Sequence, residues 1–168
     1  AISLTSIKKY KEAKKNILKA IEMNPNKDIF WDQLGKISSD EGNYQQAIIC
    51  YDKSLKIVTS EVILHKKANA LYNLEKYEEA IDCYDKALEI EFKIDTITDK
   101  GDTLHMMNEY EKAIDCYDKA LEIEPKNYSA NSNKGNSLRA NKQFDESLEY
   151  LDKAINIDQN DFYSFNNK

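Results

Sequence analysis

Apolar residues recur along this chain at steps of three and four, and the stripes they form recur every 33 or 34 residues. Tyr10, Ala13, Ile17, Ala20 and Ile21 make one stripe, which predicts a helix within residues 1–22. Asn24-Pro25-Asn26 closes it, and Asp28 is placed to cap a helix marked by Trp31, Leu34, Gly35 and Ile37. Glu41-Gly42-Asn43 predicts a left-handed turn before a helix carrying Tyr44, Ala47, Ile48, Tyr51 and Leu55. The cycle then returns three times. The aromatic residue that opens each later helix falls at Tyr10, Tyr44, Tyr77, Tyr110 and Phe144, spaced by 34, 33, 33 and 34. Twelve residues, Ala80–Glu91, reappear unchanged at Ala113–Glu124. The expectation is an all-α repeat protein of antiparallel helix pairs, with no strand pattern.

Small residues say how the pairs pack. Gly35, Ala68, Gly101 and Gly135 lie on first helices, and Ala13, Ala47, Ala80, Ala113 and Ser147 on second helices. Without side chains beyond Cβ, two helices approach closely there, and Tyr and Leu fill the flanking space. A second small column, Ala20, Ser54, Ala87, Ala120 and Ala154, is expected to serve the contact with the next pair.

Composition narrows the partners. A net charge of −6 disfavours nucleic acid or an anionic membrane as main ligand, because phosphate selects basic surface. No apolar run approaches the roughly 18 residues of a membrane span. Cys50, Cys83 and Cys116 occupy one site in three successive repeats. Stacked helices lie about 8–10 Å apart, beyond the roughly 7 Å Cα spacing a disulfide tolerates. The cysteines therefore read as half-buried structural thiols of a reducing compartment, which points to the cytoplasm. His65 and His105 belong to different repeats, and no nucleophile, metal-ligand or phosphate-loop spacing accompanies them, so neither enzyme activity, metal nor cofactor is expected.

At this point the residues resemble a family, the tetratricopeptide repeat. Trp31, Leu34-Gly35, Tyr44-x-x-Ala47, Tyr51 and Ser54 match its pattern in one repeat. Gly101, Tyr110-x-x-Ala113, Tyr117, Ala120 and Pro125 match it in another. Thr59, Phe92 and Gln159 replace the closing proline, and Asn131 stands where Trp31, Leu64 and Ile97 are apolar, which weakens one pair contact. Lys67, Lys100 and Lys134 replace the Leu34 type and are expected to lay their stems over the seam. The resemblance implies a right-handed α-solenoid superhelix in a single array over 1–168. It consists of a truncated repeat at 1–27, complete repeats at 28–60, 61–93, 94–127 and 128–161, and the start of another at 162–168. Repeat arrays need polar caps; none is visible, and Phe162, Tyr163 and Phe165 read as partly bare, as in a window on a longer array.

In the resembled family, first helices line the concave face, where an extended peptide commonly lies. Carried over by register, that face here holds Asp32, Gln33, Lys36, Ser39 and Asp40, then His65, Lys66, Asn69, Tyr72 and Asn73. Asp95, Thr98, Asp99, Asp102, His105 and Met106 follow, then Ser129, Ser132, Asn133, Asn136 and Arg139. Asn69, Asn133 and Asn136 suit a peptide backbone, since an amide both donates and accepts. Asp95, Asp99 and Asp102 would favour a basic segment. The subtype that clamps chaperone C-termini needs Lys and Arg in successive repeats, and the matching positions here do not supply them. The leading expectation is a protein–protein interaction scaffold that binds an extended peptide. Two alternatives stand beside it: the substrate-selecting arm of a larger enzyme such as a transferase, and self-association through uncapped ends.

Overall fold

In the computed structural model, the structure describes the backbone of residues 4–166 and the side chains of 11–157. Every regular element among the described residues is an α-helix. They are α1 (Leu4–Met23), α2 (Asp28–Asp40), α3 (Tyr44–Leu55), α4 (Glu61–Tyr72), α5 (Tyr77–Ile90), α6 (Ile94–Met106), α7 (Tyr110–Ile123), α8 (Tyr128–Ala140) and α9 (Phe144–Asn166). The chain divides into two compact units, Ala1–Glu91 with α1–α5 and Phe92–Lys168 with α6–α9. Pairs form within each unit: α2 with α3, α4 with α5, α6 with α7, and α8 with α9.

Within a pair, the glycines are obligatory close-approach points. A Cβ built on Gly35 would stand 2.5 Å from the Tyr51 ring, and one on Gly101 2.7 Å from the Tyr117 ring. The aromatic ring takes the volume that a side chain would fill, which lets ridge meet groove at close range. Ala47, Ala80 and Ala113 are fully buried opposite. Ser147 is buried too, and its hydroxyl donates to the carbonyl of Gly135 at 2.8 Å. Of the second small column, Ser54 also reaches into its own pair: its Oγ donates to the Asp28 carbonyl at the start of α2, at 3.0 Å.

Several local expectations change. Asp28 is the first residue of α2, not its cap; Lys27 precedes it in extended geometry, so the Asp28 carboxylate serves the helix dipole instead. Asn43 and Asn127 are the side chains that cap, accepting from Gln46 N at 3.2 Å and Ala130 N at 3.0 Å. Gly42 takes the left-handed turn with φ of 77°, and Glu75, Asn108 and Lys142 occupy equivalent turns at 59°, 62° and 64°.

Asn131 does not leave a weak contact. It is buried, and its amide donates to the Pro125 carbonyl at 3.1 Å and to the Asn127 carbonyl at 2.8 Å. Trp31 Nε1 makes the equivalent bond to the Pro25 carbonyl at 2.9 Å. Asparagine thus keeps the polar anchor of tryptophan while losing its bulk. Cys50, Cys83 and Cys116 form no disulfide with one another, and they are buried rather than half-buried. Burial pushes the thiols of Cys50 and Cys83 up in pKa, which makes them poor nucleophiles.

α9 runs without a break to Asn166, across the boundary expected between 161 and 162. Neither proline nor glycine occurs between Phe144 and Asn166 to stop it. The side chains of Phe162, Tyr163 and Phe165, and the structure of Ala1, lie outside the described residues.

Candidate functional site

The first-helix residues fall into columns set by the repeat length. One column runs Lys36, Asn69, Asp102 and Asn136; its neighbours run Gln33, Lys66, Asp99, Asn133 and Ser39, Tyr72, His105, Arg139. Each unit presents its own face.

In the first unit, α2 and α4 are tied by Lys66, whose ammonium reaches both carboxylate oxygens of Asp32 at 2.8 and 2.9 Å. The cation of Lys66 is therefore engaged within the fold. Asn69 Oδ1 accepts the hydroxyl of Tyr84, a buried ring that His65 meets edge-on with centroids 5.7 Å apart. Tyr72 packs against Tyr77 at 5.6 Å. Lys36 lies exposed on this face. Lacking an acceptor at Lys36, the equivalent Tyr51 turns its hydroxyl to Ser39.

In the second unit, Asp102 Oδ1 accepts from two sides: Tyr117 Oη at 2.8 Å and Asn133 Nδ2 at 2.7 Å. Tyr117 is buried behind α6, while Asn133 comes from α8, so one carboxylate joins three helices. Burial raises the Asp102 carboxyl above the usual carboxylate range; the bonds from Tyr117 and Asn133 oppose that rise, and the charge of Asp99 adds to it. Tyr117 is pushed far up by its own burial and by Asp102, so it stays a neutral donor. His105 Nδ1 lies 2.8 Å from Ser137 Oγ, and its ring meets Tyr110 edge-on at 5.3 Å. This Ser–His contact escaped the spacing pattern, but Ser137 is fully buried and also bonds Tyr117, so its hydroxyl has no approach to a substrate. Asn136 accepts from the exposed Arg139 at 3.4 Å, a long bond.

Asn69 and Asn133 thus each spend one amide atom inside the protein. Lys36 and Arg139 are the exposed charged candidates, with Asn136 beside Arg139. One further feature lies off these faces. A shallow open depression along α1 is lined by Lys11, Lys14, Lys15, Leu18, Lys19 and Glu22. The chain's negative average hides it, although the run of lysines between Lys8 and Lys19 is legible in the sequence. Among the described residues, no group of three metal-ligating side chains comes together, and no helix is long and apolar enough to cross a membrane.

Stacked helix pairs with close Gly–Tyr contacts and ordered polar first-helix faces define an α-solenoid repeat protein. The chain belongs to the tetratricopeptide repeat family: models of that repeat match residues 2–27 and 30–57, 59–126 and 104–164. Among curated proteins, none matches it. Solved structures share the fold. A crystal structure of MamA superposes with a TM-score of 0.88 at 22% identity, covering 97% of this chain and 99% of that one. MamA from Desulfovibrio magneticus RS-1 gives 0.85 at 18%, covering 90% and 86%. PilF of Pseudomonas aeruginosa gives 0.78 at 18%, covering 90% and 70%. The family makes this chain an interaction scaffold in the general sense.

Proposed function

We propose that the first-helix faces bind extended peptide segments of a partner protein, without catalysis and in a reducing compartment such as the cytoplasm. The observation that carries this reading is the column Lys36, Asn69, Asp102, Asn136. Its residue type changes at every repeat, while the tyrosines and alanines behind it recur. A packing role would favour one residue at all four places; a reading surface favours variety. Lys66–Asp32 and Asn133–Asp102 support the proposal by holding successive first helices in register, so a ligand meets a surface that is already ordered. In the second unit, the exposed Asp95 and the neighbouring Asp99 favour a basic segment.

The test uses residues the scaffold does not consume. Peptides selected from a displayed library are titrated onto the chain and its variants Lys36→Glu and Asn136→Ala/Arg139→Ala. Binding weakened about tenfold, equivalent to about 1.4 kcal/mol, with unchanged melting, supports the reading. Selected peptides that bind all variants alike, with their footprint on second helices, defeat it.

A further inference from the structure

The outward side of the second helices has a register of its own, apart from the first-helix columns. α3 is packed between α2 and α4, yet it exposes Gln45, Ile49, Lys53 and Lys56. α7, packed between α6 and α8, exposes Glu111, Asp115, Lys119 and Glu122 at the equivalent places. Flanking helices leave these places open, so their exposure on α1 does not depend on what precedes it.

Within the first unit the charge along this register reverses. On α1 it holds Lys11, Lys15, Leu18, Lys19 and Glu22, all exposed, which with Lys14 line the depression along that helix. On α5 it holds Glu78, Asp82, Lys86 and Glu89, all exposed, and the half-buried Asp85. α3 stands between them in the packing order and carries little net charge at these places. Its Asp52 is taken up by Lys67 at 2.6 Å, and its Lys53 lies over the Trp31 ring at 4.1 Å. Ile49, 42% exposed, is the apolar residue on this middle helix's outer side.

A face that runs from basic through apolar to acidic is its own complement. Turned by half a turn, each charged edge meets the opposite charge and the centre meets itself. That is the symmetry of an isologous dimer. With a net charge of −6, two copies repel in most orientations, so an arrangement that sets α1 against α5 is favoured over them.

We propose that the outer face of α1, α3 and α5 docks a second copy of this chain, about a two-fold axis near Ile49. Each copy sets Lys11, Lys15 and Lys19 against Glu78, Asp82 and Glu89 of the other, and Ile49 packs on its counterpart. Exposed ion pairs are individually weak and are screened by salt, so the dimer is salt-sensitive. The surface lies apart from the first-helix columns, and the proposal stands independently of peptide binding there.

Sedimentation velocity of the full chain over a concentration series is the test. A dimer is expected whose affinity falls at least tenfold between about 0.1 and 1 M salt, as the screening length drops from about 10 to about 3 Å. Lys11→Glu/Lys15→Glu and Glu78→Lys/Asp82→Lys should each be monomeric alone. An equimolar mixture of the two should dimerise, because both contacts are restored at once. Ile49→Glu should weaken self-association several-fold, whereas Glu111→Lys/Asp115→Lys on α7 should leave it unchanged. Circular dichroism confirms that each variant is folded. A chain that stays monomeric at low salt, a dimer indifferent to these reversals or to Ile49→Glu, one that the α7 reversal dissociates, or a mixture that fails to dimerise would overturn the proposal.

Discussion

Asn69 and Asp102 hold the same place in successive repeats, and each accepts the hydroxyl of a buried tyrosine, Tyr84 or Tyr117. The stretch that carries each tyrosine is identical over twelve residues, so the donor is the same in both and the acceptor differs. In the first unit it is an amide, which carries no charge and needs no compensation. In the second it is a half-buried carboxylate, which does, and Asn133 is recruited from α8 to supply a second donor. At the fourth place Leu151 replaces the tyrosine, so Asn136 loses that partner and faces outward beside Arg139. One scaffold position thus runs from spent to available as its tyrosine changes.

The comparison can be broken at several strengths. The largest effect is expected from Ala80→Leu, which overpacks a fully buried contact present in both units and should cost about 1–3 kcal/mol by denaturant unfolding. Tyr117→Phe removes a donor from a half-buried carboxylate and should cost about 1.5–3 kcal/mol, against about 0.5–1.5 for Tyr84→Phe, whose acceptor is neutral. Equal costs would show that the two acceptors are equivalent after all.

Asp102→Asn converts the second unit to the chemistry of the first. Because burial raises the folded pKa of Asp102, the native state holds more protons than the unfolded chain between the ordinary carboxylate value and that raised value. Its contribution to stability therefore falls as pH rises through this window. The Asn variant should melt above the wild type at pH 7, with the gap closing below about pH 4, the unperturbed carboxylate range. A gap independent of pH would remove Asp102 as its cause. The smallest effect concerns the turns: Glu75→Gly relieves a left-handed residue and should stabilise by up to about 1 kcal/mol, whereas Gly42→Ala should destabilise by a similar amount.

The helix pairs were legible because a period of 33 or 34 residues repeats the same packing requirement, and Gly35 or Ala80 can serve it in only one way. The polar faces were legible as positions but not as bonds. Nothing in the spacing says that Lys66 turns to Asp32, or that Asn133 reaches across to Asp102, since those contacts depend on how successive first helices approach. Asn131 was misread for a related reason: its amide reproduces the anchor of Trp31 to a proline carbonyl, and hydropathy alone registers only the loss of apolar bulk.

The central claim is that the variable first-helix columns recognise a partner while the recurring tyrosines and alanines behind them hold those columns in place. Backbone amide NMR of the labelled chain, titrated with a selected peptide, tests it most directly. The account predicts shifts concentrated at Lys36, Asn136, Arg139 and their first-helix neighbours, with the outer faces of α5 and α7 silent. Shifts concentrated on those outer faces, with the first helices unmoved, would contradict it.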